Sequence, residues 1–379
     1  MTIAAKDPTG NTRRLLALDG GGIRGTITLE VLAELERSLG ERLQAGPGFV
    51  LASYFDYIAG TSTGAIIATC LSLGMRVADI RAFYLASGPA MFDKANLLKR
   101  YLRNKYNDEQ LAGKLQEVMR QQSGEQQATL GTKALQTLLL LILRNATTDS
   151  PWPLSNNPVA TFNDPAFKGC NLQLPLWQLV RASTAAPTYF PPEVVAVGEE
   201  EFVFVDGGVT MYNNPAFQLF LMATISPYKL RWPTGADKLL LVSVGTGAAA
   251  SANANLAPEQ MNLLYNASSI PSALMYGASN EQDLLCRVFG RCLHGAAIDA
   301  EVTDLKGDIG PGSIEQKFFT YLRYNADLSR EGLNALKLPQ IKPENVQQMD
   351  SVAYISQLQA VGQAVAKEVD LAHFAGFLN

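Results

Sequence analysis

Histidine is nearly absent from this chain: His294 and His373 are the only two in 379 residues. Serine chemistry usually relies on a histidine base, so any such site here must use one of these two or do without. Cysteine is also scarce. Cys70, Cys170, Cys286 and Cys292 are too few and too scattered for a disulfide framework. The stretch "CRVFGRCLH" places Cys286, Cys292 and His294 close together, but its C-x5-C spacing matches no common zinc pattern and no second ligand pair follows. No metal is therefore expected, and these residues read as ordinary positions on a helix face. Basic residues are not in excess: the formal charge is −4, which argues against general affinity for nucleic acid.

Long hydrophobic runs are missing too. The longest, "LLLLIL" (Leu138 to Leu143), is far short of the ~20 residues of a spanning helix, and reads as a buried strand bounded by the turn-rich "RNATTDSPWP". The first residues, MTIAAKDPTGNTRR, contain no apolar core of a secretory signal. A cytoplasmic protein is expected, soluble or in peripheral contact with a membrane. Hydrophobic residues make up 47% of the chain, enough for a large core in one domain or two modest ones.

What is present has one recurring grammar: an apolar, strand-like run that ends abruptly in small residues. It occurs in "RLLALDGGG", "YFDYIAGTSTG", "FVFVDGG" and "LLLVSVGTG". Helical patterns follow these runs. Val31, Leu32, Leu35 and Leu39 recur at helical spacing, "AIIATCLSLG" continues from Gly64, and "NNPAFQLFLMA" has Asn214 as cap and Pro215 at its start. Continuous apolar strands alternating with helices predict an α/β fold with a mostly parallel sheet covered on both faces. In such sheets ligands bind at the carboxyl ends of the strands, so all four glycine-rich ends are expected on one edge. A catalytic core over residues 13–247 is expected, followed by the small-residue stretch "AAASANANLAPE" as a linker and a mainly helical region to 379, including Val346 to Val369, packed on that core.

The loop Gly20-x-Gly22-x-x-Gly25 admits two readings. It fits the dinucleotide fingerprint, which would make the protein a nucleotide-binding oxidoreductase, but that fingerprint wants an acid at the tip of the second strand, where "IAGTSTG" has none. Alternatively, glycine N–H groups at a helix N-terminus can hold an oxyanion formed only during a reaction. "GTSTG" (Gly60 to Gly64) supplies a nucleophile for the second reading: G-x-S-x-G between strand and helix is an elbow whose small flanking residues expose Ser62. The bland alternative is a glycine-rich turn with Ser62 as helix cap. For the base, the order Ser62, Asp206, His294 would suit a hydrolase triad, but His294 follows no recognisable strand end. Asp206 lies at the tip of "FVFVD" and could take the serine proton directly if burial raised its pKa. As a plain turn-former in "DGG" it would do neither.

Taken in order, "DGGGIRG", "GTSTG", "RASTAAPTYFPP", "DGG" and "NNPA" resemble patatin-like phospholipases over roughly residues 13 to 247. The resemblance implies a three-layer α/β/α fold, related to the catalytic domain of cytosolic phospholipases. It also implies hydrolysis of phospholipids or related acyl esters through an acyl-serine intermediate, without cofactor or metal. It assigns Ser62 as nucleophile and Asp206 as base, with Gly60 and Gly64 shaping the elbow. Gly21 and Gly22 would supply oxyanion N–H groups, and Gly20 and Arg24 would shape that loop. Transfer of the acyl group to an alcohol acceptor, or hydrolysis of short esters, would use the same residues. The C-terminal third matches less closely, though "YLRYNADLSREGL" looks like what some bacterial members carry. Finally, "KANLLKRYLRNKY" (Lys94 to Tyr106) is basic and amphipathic. It suits either an anionic membrane surface or a helix packed on the domain by its apolar stripe.

Overall fold

A computed structural model describes residues 6–7, 10–92, 108–187, 190–249, 263–298 and 314–378. Its described strands are β1 (Arg13–Leu18), β2 (Tyr57–Thr61), β3 (Leu138–Asn145), β4 (Ser150–Ser155), β5 (Glu193–Val197), β6 (Glu200–Asp206), β7 (Leu239–Val244), β8 (Arg291–His294) and β9 (Thr320–Tyr324), and all nine join one sheet. The helices are α1 (Gly25–Arg42), α2 (Thr63–Ser72), α3 (Val77–Phe92), α4 (Asp108–Ser123), α5 (Leu176–Ser183), α6 (Ala216–Thr224), α7 (Leu263–Phe289), α8 (Arg330–Ala335), α9 (Pro343–Gln347) and α10 (Ile355–Ala366).

Six strands run parallel in the order β3-β2-β1-β7-β9-β8, while β4 and β6 pair antiparallel to β3, and β5 pairs antiparallel to β6. The central strands are buried on both faces, which is why they read as unbroken apolar runs rather than alternating ones. Leu16, Leu18, Ile58, Leu139 and Leu141 pack on one face with α1 to α5 and α10. Leu15, Ala17, Tyr57, Ala59, Leu138 and Leu140 pack on the other with α6 and α7. The result is the three-layer α/β/α architecture that the alternation of strands and helices implies.

The register of β3 determines where the functional ends meet. β2 stops at Thr61, opposite Ile142, and β6 ends on the same flank of β3 with Asp206 opposite Leu143, because β4 occupies the other flank from Leu140 to Asn145. β3 is therefore longer than β2, and β6 fills the remaining length head-on from the opposite direction. The aspartate strand reaches the common edge although it is antiparallel, which the run "FVFVDGG" does not reveal.

Two expectations change. The region after residue 247 supplies β8 and β9 to the parallel half of the sheet as well as helices, so Cys292 and His294 lie on a strand, not a helix face. The span from Val346 to Val369 is broken: α9 ends at Gln347 and α10 starts at Ile355, leaving the 348–351 segment free to meet the glycine loop. The basic stretch Lys94 to Tyr106 lies outside the described residues. No helix among the described residues is long and apolar enough to cross a membrane.

Candidate active site

The turn from β2 into α2 places Ser62 at φ 54°, ψ −123°, a conformation that strains any side-chain-bearing residue. The strain persists because the neighbours leave no alternative. A β-carbon on Gly60 would meet the Gly64 carbonyl oxygen at 2.1 Å, and one on Gly64 would meet the Leu18 carbonyl oxygen at 2.3 Å. Only glycines allow this elbow to pack against β1. Ser62 N–H donates to Ser183 Oγ at 3.0 Å, and Ser183 Oγ in turn donates to the Ile142 carbonyl at 2.7 Å.

Ser62 Oγ donates to Asp206 Oδ2 at 2.6 Å. The other carboxylate oxygen, Oδ1, accepts from Gly208 N–H at 2.6 Å, and Asp206 N–H is held by the Ala185 carbonyl at 2.9 Å. Asp206 is only 4% exposed. Burial pushes its carboxyl up to about 6, against the opposing pull of the bonds from Ser62 and Gly208. A buried carboxyl near 6 has useful proton affinity at neutral pH, which an exposed aspartate lacks.

The glycine loop abuts this pair: a β-carbon on Gly20 would lie 3.2 Å from Ser62 Cβ. Gly20 N–H is committed to the Asn213 carbonyl at 3.1 Å, so its part is to shape the loop. The N–H groups of Gly21 and Gly22 have no acceptor among the described residues. Gly22 takes φ 60°, and a side chain there would also strike the Met349 carbonyl. Arg24 donates through Nη1 to the Gln347 carbonyl at 3.2 Å, tying the loop to the end of α9. Ile23 N–H is held by the Met349 carbonyl at 2.9 Å and Arg24 N–H by the Gly21 carbonyl at 3.3 Å. Of the N–H groups at this helix start, those of Gly20, Ile23 and Arg24 are thus taken, which leaves those of Gly21 and Gly22 to receive an anion.

His294 stands apart. It ends β8, four strands from β2 in the order β2-β1-β7-β9-β8, or about 19 Å at ordinary strand spacing. Its Nε2 faces Glu368 at 3.2 Å, and its ring stacks on His373 with centroids 5.4 Å apart. Neither histidine reaches Ser62. Cys286 and Cys292 are buried, and no cluster of three metal-ligating side chains occurs among the described residues.

Several site residues carry no sequence signal of their own. Arg323 of β9 clasps Asp19, the residue just before the three glycines, with bonds of 2.9 and 2.6 Å, and also donates to Ser243 Oγ at 2.7 Å. Thr246 Oγ1 donates to the Gly20 carbonyl at 2.8 Å. Tyr84 donates to the Gly22 carbonyl and bonds to Thr63. "GTG" and "NNPA" contain Thr246 and Asn213 but give no sign of these bonds, and nothing in the sequence pointed to Met349.

A family model described as patatin-like phospholipase matches residues 16–220. Patatin-like protein 1 of Oryza sativa subsp. indica is 30% identical over 348 residues, covering 78% of each chain. Patatin-like protein 1 of Arabidopsis thaliana is 31% identical over 268 residues, which are 63% of this chain but only 60% of that protein. The solved structure of VipD from Legionella pneumophila overlays with a TM-score of 0.38 at 15% identity, covering 92% of this chain and 67% of that one.

Proposed function

The chain belongs to the patatin-like phospholipase family, and from that premise we propose that it hydrolyses fatty-acyl esters of phospholipids with a Ser62–Asp206 dyad. The observation that carries this reading is the 2.6 Å bond from Ser62 Oγ to a buried Asp206 carboxylate on a strained elbow, with no histidine in reach. Ser62 Oγ attacks the ester carbonyl while its proton passes to Asp206 Oδ2. The carbonyl oxygen becomes negative beside the Gly21 and Gly22 N–H groups, which are free to receive it. The tetrahedral intermediate collapses and breaks the ester bond. The leaving alcohol takes the proton from Asp206, and the acyl group stays on Ser62. Water then attacks the acyl-serine, giving its proton to Asp206, and collapse returns that proton to Ser62 with release of the fatty acid. No step routes a proton through His294 or His373.

Fatty-acid release from mixed phospholipid vesicles tests this proposal. The parent protein releases fatty acid, and Ser62→Ala reduces release to background while keeping the parent's circular dichroism. Cleavage of short soluble esters without release from vesicles would leave the chemistry standing and remove phospholipid as the substrate.

A further inference from the structure

An acyl ester bound at Ser62 has a long apolar chain to accommodate, and two adjoining cavities offer a place for it. The first, about 500 Å³, lies between Val209, Thr210 and Met211, which follow Asp206 in the chain, and Leu274, Met275 and Ala278 of α7, with the paired Arg144 and Asp149 also in its wall. Met275 ties this cavity to the reacting groups. A β-carbon on Gly208 would lie 3.0 Å from Asp206 Oδ1 and 3.6 Å from Met275 Cε. The second cavity, about 760 Å³, includes Trp152, Phe162, Phe167, Phe202, Met222 and Tyr228 in its walls. Pro151 of β4 lines both.

The register gives the scale. Asp206 and Trp152 lie opposite Leu143 on its two flanks, so the aromatic cavity starts about two strand spacings, roughly 10 Å, from the dyad. The size and apolar lining suit one small-molecule tail. Large apolar side chains stand open along the way: Met211 is 46% exposed, Leu274 68% and Phe162 58%. Leaving such groups in water is unfavourable unless something covers them. The bordering strand selects against a peptide. β4 pairs only with β3 among the described residues, and proline at 151 and 153 removes two N–H groups from its other edge. An acyl chain needs no such donors. Charge points the same way: Lys168 is paired with Glu199 at 2.8 Å, leaving Glu200 as a wall charge that repels a carboxylate. The tail, not the acid end, therefore enters this cavity.

We propose that the two cavities form one path for a single long acyl chain. The ester carbonyl sits at Ser62, the chain passes Met211 and Met275 and crosses Pro151, and its methyl end lies among Trp152, Phe162, Phe167 and Phe202. This assignment rests on the hydrolase reading above and adds chain-length selection to it.

The test compares palmitoyl and butyryl esters of the same chromogenic alcohol. Ala160 lines the larger cavity, and Ala160→Trp places an indole in it. The ratio of kcat/KM for palmitoyl over butyryl ester falls about tenfold or more, since withdrawing two methylenes from burial already has that effect. Phe162→Glu, at an exposed rim position, shifts the ratio in the same direction without burdening the fold. An unchanged ratio in both folded variants overturns the acyl path and leaves the hydrolase reading intact. If the parent cleaves neither ester, the hydrolase reading fails, and a fluorescent fatty-acid analogue then probes the cavity in Ser62→Ala protein. Loss of its binding in Ser62→Ala/Ala160→Trp retains the cavity assignment, and equal binding overturns it.

Discussion

Replacing Asp206 with asparagine lowers ester hydrolysis roughly 100- to 10,000-fold, the range of a general base, and at the same time stabilises the folded protein above neutral pH. Both effects come from burial. In the folded chain the Asp206 carboxyl is raised to about 6, against about 3.9 in an unfolded one. The folded state thus holds this proton more tightly. The group's contribution to stability is fully present below about pH 4 and is lost as pH rises through about 6. At pH 8 the buried anion opposes folding by about 1–3 kcal/mol. Asparagine removes that charge while its side-chain oxygen can still accept from Gly208 N–H. Denaturation at pH 4 and pH 8 checks the sign: the variant gains stability at pH 8, and the gain disappears at pH 4. In the parent, kcat/KM rises with pH, reaches half its plateau near pH 6 and stays flat above. A profile that does not change between pH 5 and 7 would exclude Asp206 as the base.

Arg323→Met destabilises the protein by about 3–5 kcal/mol, the usual effect of stranding a buried charge. Arg323 and Asp19 are 5% and 4% exposed and joined by two hydrogen bonds, and Arg323 also donates to Ser243. Burial alone would lower the guanidinium pKa, but the Asp19 carboxylate outweighs it and holds Arg323 charged. Without Arg323, the Asp19 carboxylate stays buried directly before Gly20 with both of its guanidinium bonds lost, so the glycine loop loosens as the fold weakens. Urea unfolding measures the first effect and kcat on a short ester the second. Asp19→Asn added to Arg323→Met recovers part of the lost stability, because it removes the stranded charge. A single-variant loss under about 1 kcal/mol would show that the pair does not hold the loop.

Much of the site was legible because its parts are local. The glycines around Ser62 and the apolar runs before Asp19, Ser62, Asp206 and Gly245 each follow from short-range sterics that leave a composition signal, whereas the helix expected to begin at Pro215 with Asn214 as cap begins at Ala216 with Pro215 as its N-cap. What escaped is long-range or carried by backbone. The Asp19–Arg323 clasp joins residues 304 positions apart, and an arginine in "YLRY" gives no sign of it. The Met349 and Asn213 carbonyls that hold the glycine loop belong to the main chain, so no residue type announces them. The place of β6 depends on the extra length of β3 beyond β2, and its reversed direction shows only in the pairing and not in either run. β8 is only four residues long, and "RCLH" directly after α7 reads as the end of that helix.

In the proposed mechanism Ser62 carries the acyl group and no histidine takes part. Mass spectrometry of the protein quenched during turnover of a slow acyl ester addresses it most directly. The expected result is an acyl adduct mapping to Ser62, formed at the parent's rate in a folded His294→Ala/His373→Ala variant and absent from Ser62→Ala. Turnover with no adduct on Ser62, or loss of the adduct in the double-histidine variant, would contradict it.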